Sequence, residues 1–283
     1  MKFARLSLPE LPDTWWLRLG STLLLAALVA IAAAQGLFRG SENRFGELTF
    51  AALERPASGK IHVIEMDAAS MAAIQTWPWS RDHYARLVQQ LDAAGVRSIS
   101  FDVDFSGSGA DPADDLAFGA AIAAANAPVT LPTFYQSAGF REGRQLDSLP
   151  VAPLRGHAQL ASVSVTEDKD GFVRSMPLGT VTNAVPRPSI AAFVAGRAGM
   201  VGESFPIDFA VNIASIPRHS FIAIERGEFD PRSLSGKDVI VGATAIEMGD
   251  RYPVPRYGVI PGVILQALAA ETLVQAVPTN GSW

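Results

Sequence analysis

The fold class the sequence predicts is α/β: a single mixed, mainly parallel sheet flanked by helices and preceded by one transmembrane helix. Three observations carry it. The run "LGSTLLLAALVAIAAAQGLF", residues 19–38, contains no charge and has the length of about 20 residues that a helix needs to cross hydrocarbon. "IHVIEMD" (61–67) and "VRSISFDVDF" (96–105) are short apolar runs ending in acid, as buried strands of an α/β sheet do. Between them, "RDHYARLVQQLDAAG" sets Tyr84, Leu87, Val88 and Leu91 at i, i+3, i+4 and i+7, the apolar stripe of a helix lying on a sheet.

Composition narrows the function classes. With 283 residues and 48% hydrophobic content the chain can bury a proper core, so disorder is excluded. A net charge of −5 with scattered arginines offers no basic face, which excludes nucleic acid as a partner. There is no cysteine, and His62, His83, His157 and His219 lack ligand spacing, so no thiolate or imidazole metal cage is predicted and no cofactor is called for. An oxygen-ligand site for a hard cation stays open.

Each element follows in order. Trp15 and Trp16 precede the apolar run, with Lys2, Arg5 and Arg18 on its N-terminal side, favouring residues 1–18 in the cytoplasm and everything after Gly40 outside it. "AAA" at Ala32 to Ala34 fits a cleaved leader equally in its small residues. Against cleavage stand the long segment before the run and its Pro9, Glu10, Pro12 and Asp13. Strand 61–67 leads into a helix ending near Ile74. Ser80 can cap the helix from Arg81, and Gly95 can end it. Strand, helix, strand implies a parallel pair, with Asp67 and Asp102 at one edge of the sheet. "DPADDLAFGAAIAAAN" (111–126) is a helix with acids in its first turn, and "APVTLPTF" is a strand.

Residues 136–158 read as a loop. "QLASVSV" and "GFVRSMPLGTV" read as a hairpin turning at "EDKDG", where Gly171 supplies a positive φ. "PSIAAFVAGRAG" is a helix, "FPIDF" a short strand, "KDVIVGATA" a strand running into a glycine turn, and "GVILQALAAETLVQ" a closing helix. No break in composition divides residues 42–278.

"WPW" at 77–79 raises two readings. Pro78 stiffens the corner before Arg81, and both indoles can clamp that corner onto the sheet. Alternatively Trp77 and Trp79 form an aromatic wall of a ligand site beside Asp67 and Arg81. Asp67, Asp102 and Asp104 are the acids that topology brings together, with Asp250 a further rim candidate; side chains at the carboxyl ends of parallel strands line the crevice where such sheets bind ligands. Together they could hold a cation or an amine. The structural alternative is that Asp67 caps the helix from Ala68 while Asp102 pairs with Arg81. Asp170, Gly171 and Arg174 form an anchored turn, and the backbone of Gly242 to Ala245 could meet an anion.

At this point a resemblance becomes specific. "MDAASMAAIQTWPWSRDHYARLVQQLDAAGVRSISFDVDF" resembles the signature of the CHASE2 family, the extracytoplasmic sensor module that precedes bacterial adenylate and guanylate cyclases, histidine kinases and cyclic-di-GMP enzymes. "DPADDLAFGAAI", "EDKDGFVRSMPL", "PSIAAFVAG", "LSGKDVIVGATAIEMGDRYPVP" and "IPGV" match further blocks in order, so the likeness spans about residues 42–278. Ile264 and Gln266 stand where the family more often has Glu and His. The resemblance implies a membrane-anchored sensor without catalysis of its own in the periplasm, an unknown small-molecule or envelope ligand, and a homodimer. It also implies further membrane helices, of which residues 279–283 would be the start, and an output domain not present in this chain. Two other classes remain. "SISFDVDFSG" resembles the strand and D-x-D of Mg-dependent haloacid-dehalogenase phosphatases, with Asp102 and Asp104 in the acid roles. A cleaved leader would instead leave a soluble periplasmic binding protein.

Overall fold

The computed structural model describes residues 16, 20–24, 53–137, 145–197 and 200–276. Two compact units are present, residues 1–49 and 50–283. In the first, residues 20–24 are helical, and the rest of the expected span lies outside the described residues. Among the described residues no helix is long and apolar enough to cross a membrane.

The second unit is built on a seven-stranded sheet. Its first strand, β1 (Ile61–Met66), leads to helices α1 (Ala68–Ala73) and α2 (Arg81–Ala93), then β2 (Ser98–Asp102), α3 (Pro112–Ala124), β3 (Val129–Ser137) and β4 (Gln145–Ser148). After α4 (Ala152–Arg155) come β5 (Gln159–Ser162), β6 (Ser175–Pro177), β7 (Gly179–Thr182), β8 (Val185–Pro188), α5 (Ile190–Val194) and β9 (Ser204–Pro206). The remainder is β10 (Arg218–Ser220), α6 (Phe221–Glu225), β11 (Asp238–Ala243), the pair β12 (Arg251–Val254) and β13 (Gly258–Pro261), and α7 (Gly262–Gln275). Strand order is β10-β1-β11-β2-β3-β4, with β5 also on β3. Every pair is parallel except β3 with β4. The predicted mixed, mainly parallel sheet flanked by helices is therefore present.

Alternation along the strands sorts two cores. Ile61, Val63 and Ile240 face one core with α5 and α7. Ile64, Met66, Val239 and Val241 face the other with α2 and α3. The predicted stripe Tyr84, Leu87, Val88, Leu91 is fully buried in that second core. Ser80 caps α2, its Oγ accepting from the Asp82 N–H at 3.1 Å, and Gly95 ends it at φ 73°.

Several expectations are corrected. Asp67 and Asp102 do share an edge, but β1 and β2 are not neighbours, because β11 lies between and pairs with both. The hairpin at 159–181 is absent: β5 pairs with β3 and β6 with β9. Only its turn survives, with Gly171 at φ 81° and Arg174 bridging Asp168 and Asp170 at 2.7 and 2.9 Å. The stretch read as a loop contains the end of β3, β4 and α4. Alternating apolar residues could not show this, since β4 and α4 are four residues each, too short for a periodicity to register. The helix expected over 188–199 is the shorter α5.

Candidate functional site

At the carboxyl edge of the parallel strands lies a cleft of about 950 Å³, within the range of small-molecule sites. Six of the seven predicted site residues line it: Trp77, Trp79, Arg81, Asp102, Asp104 and Asp250. The strands aim them there, since parallel strands end together and the loops that leave them form one rim.

Asp67 is the exception. Its Oδ1 accepts from the Ser70 N–H at 2.8 Å and from the Ser70 and Ser220 hydroxyls at 2.5 and 3.1 Å. It caps α1, tying it to β10, as the structural alternative has it.

The two tryptophans divide the alternatives between them. Trp79 is 2% exposed and packs on Tyr84 and Phe221 with ring centroids 6.2 and 4.9 Å away. Trp77 is 49% exposed and stands edge-on to Trp79, at 5.8 Å, on the cleft lip. The Trp77–Pro78 peptide is cis.

Arg81 does not pair with Asp102. Its Nη2 donates to the Gly107 carbonyl at 3.0 Å, its Nε lies 3.5 Å from Asp115, and its guanidinium sits 4.6 Å from the Phe105 ring centre. Asp115 in turn accepts from the Gly109 N–H at 3.0 Å. Arg81 thus fastens the loop after β2 to α2 and α3, and its charge is already matched.

Asp102 shares the cleft with Asp250 instead, within electrostatic reach of it. Burial, then the charge of Asp250, raises the Asp102 carboxyl well above the ordinary carboxylate range. Burial raises Asp250 as well, against a hydrogen bond from Tyr252. The Tyr252 hydroxyl is pushed up in its turn by burial and by these two carboxylates. Asp104, exposed at the rim, accepts from the Ser106 N–H at 2.8 Å.

Two glycines make this arrangement possible. Gly242, in register with Asp102, sits where a Cβ would approach Val263 Cβ to 2.7 Å and Asp102 Cβ to 3.3 Å. At Gly262 a Cβ would fall inside the Asp250 carboxylate, whose backbone carbonyl accepts from the Gly262 N–H at 3.0 Å. The expected anion site at Gly242 to Ala245 is not formed, because the N–H groups of Thr244 and Ala245 both donate to the Met66 carbonyl at 3.2 and 3.1 Å.

Two cleft-lining side chains hold buried polar atoms without a partner among the described residues: Trp79 Nε1 and Gln266 Oε1. Gln266 is 1% exposed and its Nε2 donates to the Val163 carbonyl at 3.0 Å. Sequence reasoning missed Tyr252, Gly262 and Gln266 as cleft residues. A signal existed for all three: Asp250 and Tyr252 are two apart entering a strand, and Gly262 and Gln266 are four apart on a helix, so each pair shares a face.

Comparison with family profiles gives one match: residues 23–283 fit the CHASE2 domain. Neither the curated proteins nor the solved structures provide a match. CHASE2 is an extracytoplasmic sensor domain and is not catalytic. With nearly the whole chain covered, this protein belongs to the CHASE2 domain family.

Proposed function

We propose that the chain is the membrane-anchored sensor part of a bacterial signalling receptor. Residues 19–38 hold it in the inner membrane, the domain stands in the periplasm, and the cleft edged by Trp77, Trp79, Arg81, Asp102, Asp104 and Asp250 is where a ligand is read. One observation carries the reading: Gly262 and Gln266 of α7 are cleft wall, while the same helix packs on β1, β11 and α5. A molecule in the cleft therefore touches the last helix among the described residues. It shifts the population of α7 positions by its difference in affinity for them. Beyond α7, the signal passes to an output domain that works as a pair, a cyclase, kinase or cyclic-di-GMP enzyme.

The phosphatase reading finds less support. Asp102 and Asp104 do share the cleft, but a phosphate would meet Asp250 as a third carboxylate, and the cleft's cation, Arg81, is already matched by Asp115. The family's sensor role points the same way.

Fractionation of expressing cells, with external protease applied to spheroplasts, tests the placement. Recovery of intact chain in the membrane fraction, degraded from outside, is the expected result. A chain shortened at its N-terminus and free in the periplasm would make it a soluble binding protein, and intact chain in the cytosol would sink the proposal.

A further inference from the structure

The lining of the cleft also limits what it can hold. Its charged groups are Asp102, Asp104, Asp250 and Arg81, and Arg81 is matched by Asp115 and the Gly107 carbonyl. Negative charge is thus left over in a partly enclosed space, where it acts more strongly than in water.

Gln266 gives the second, independent sign. Its amide is oriented by the Val163 carbonyl, which only an N–H can satisfy. The oxygen is then a buried acceptor without a donor among the described residues, a state rare in native structures. The Tyr252 hydroxyl is engaged with Asp250, so a molecule in the cleft can supply the donor for Gln266.

A bare metal ion fits poorly. No group of three or more His, Cys, Asp or Glu that could hold a metal exists among the described residues, and the exposed indole of Trp77 on the lip offers a ring face suited to an organic cation or its alkyl stem.

We propose that the cleft recognises an organic cation, an ammonium or guanidinium group on an apolar stem. The head lies between Asp102 and Asp250 and donates to Gln266 Oε1, and the stem lies against Trp77. The unpartnered Trp79 Nε1 leaves room for one acceptor atom on the stem. This rests on the reading of the cleft as the sensor's ligand site.

Agmatine, with a guanidinium and an ammonium on one butyl stem, is the probe. It is titrated calorimetrically into the full chain in detergent micelles, with butyrate, butanol and calcium chloride as comparisons. Saturable agmatine binding is expected, weakened about tenfold or more by Asp250→Asn and by Gln266→Leu. Asp170→Asn, in the exposed turn, leaves the affinity as it was, and thermal unfolding verifies that each variant is folded. Binding of butyrate or butanol, lost in Trp77→Ala, with agmatine inert would overturn the cation class while keeping the cleft. Calcium binding alone, lost in Asp250→Asn, would replace the organic cation by a metal. Agmatine binding indifferent to Asp250→Asn and Gln266→Leu would overturn the cleft itself, and absence of binding by every probe to the folded chain would overturn the proposal.

Discussion

The carboxyl of Asp102, at the end of β2, lies within electrostatic reach of Asp250, just before β12, and the charge of Asp250 adds to burial in holding the Asp102 proton. Two acids placed together with no free cation cost stability when both ionise. The sign of the consequence is fixed. With its native pKa above the unfolded value, Asp102 binds more protons in the folded chain, so its contribution is most favourable at acidic pH. Stability is lost as pH rises from the ordinary carboxylate value, about 3.9, through the raised native one. Asp102→Asn removes that loss. The difference in melting temperature, variant minus wild type, should therefore grow with pH from the mildly acidic range to neutrality. A variant less stable than wild type at neutral pH would show the pair to be supported by an opposite charge.

The same pair sets the pH dependence of cation binding. Tyr252 bonds to Asp250, with Glu167 acting on that tyrosine, and Asp104 and Arg81 line the same cleft; a cation entering between the acids displaces a proton from them. Agmatine affinity should rise with pH across the acidic range, with proton release visible as a dependence of the calorimetric heat on the buffer used. An affinity flat over that range would mean that the head group does not meet Asp102 and Asp250.

Trp77 and Trp79 should part company under mutation. Trp79 is enclosed by Trp77, His83, Tyr84 and Phe221, and Trp79→Ala should cost about 3–5 kcal/mol as a large core cavity does. Trp77 is half exposed, and Trp77→Ala should cost about 1 kcal/mol, the worth of one edge-to-face pair. Chemical denaturation of both variants measures this. Equal losses would mean that the lip ring is as much core as its neighbour.

How far the site was legible in the sequence follows from the same residues. The i, i+4 stripe of α2 and the acid-ended strands β1 and β2 are local patterns, and they put Asp102, Asp104, Arg81 and the tryptophans at one edge. Asp102's partner was not legible. Arg81 is nearer in sequence and opposite in charge, yet the insertion of β11 between β1 and β2 brings Asp250 over Asp102 while α3 presents Asp115 to Arg81. That choice is made by strand order, which no spacing encodes. Elements missed, among them β4, α4, β10, α6 and the β12–β13 pair, are three to five residues long. Such lengths are too short for a periodicity to register.

On the other flank, His62 of β1 and His219 of β10 lie with ring nitrogens 3.0 Å apart. Burial, with the charges of His219 and Lys237, lowers His62 to about 4, against a hydrogen bond with Gly59. His219 is lowered by burial alone. A depressed histidine makes the native state the poorer proton binder, so this contribution is complete above the unfolded value, about 6.5, and is lost as pH falls towards 4. His219→Gln should flatten that acid loss, seen as the difference between wild-type and variant melting curves over the same window, which isolates it from the oppositely signed Asp102 effect. Parallel curves would mean that the rings do not titrate against each other.

The glycines beneath the cleft offer the sharpest separation of fold from site. A methyl at Gly242 points at Val263 within the sheet-to-α7 packing. Backbone there cannot yield, so Gly242→Ala should cost about 1–3 kcal/mol as overpacking does. A methyl at Gly262 meets the Asp250 carboxylate first, which lies in the segment before a two-stranded pair and can move aside. Gly262→Ala should therefore cost less stability but lose agmatine binding about tenfold, since the displaced carboxylate no longer faces Asp102. Unfolding and titration of the two variants side by side check this. A Gly262→Ala chain that binds agmatine like wild type would place the cation somewhere other than between the two acids, because no small shift of Asp250 could accommodate the methyl and keep both contacts.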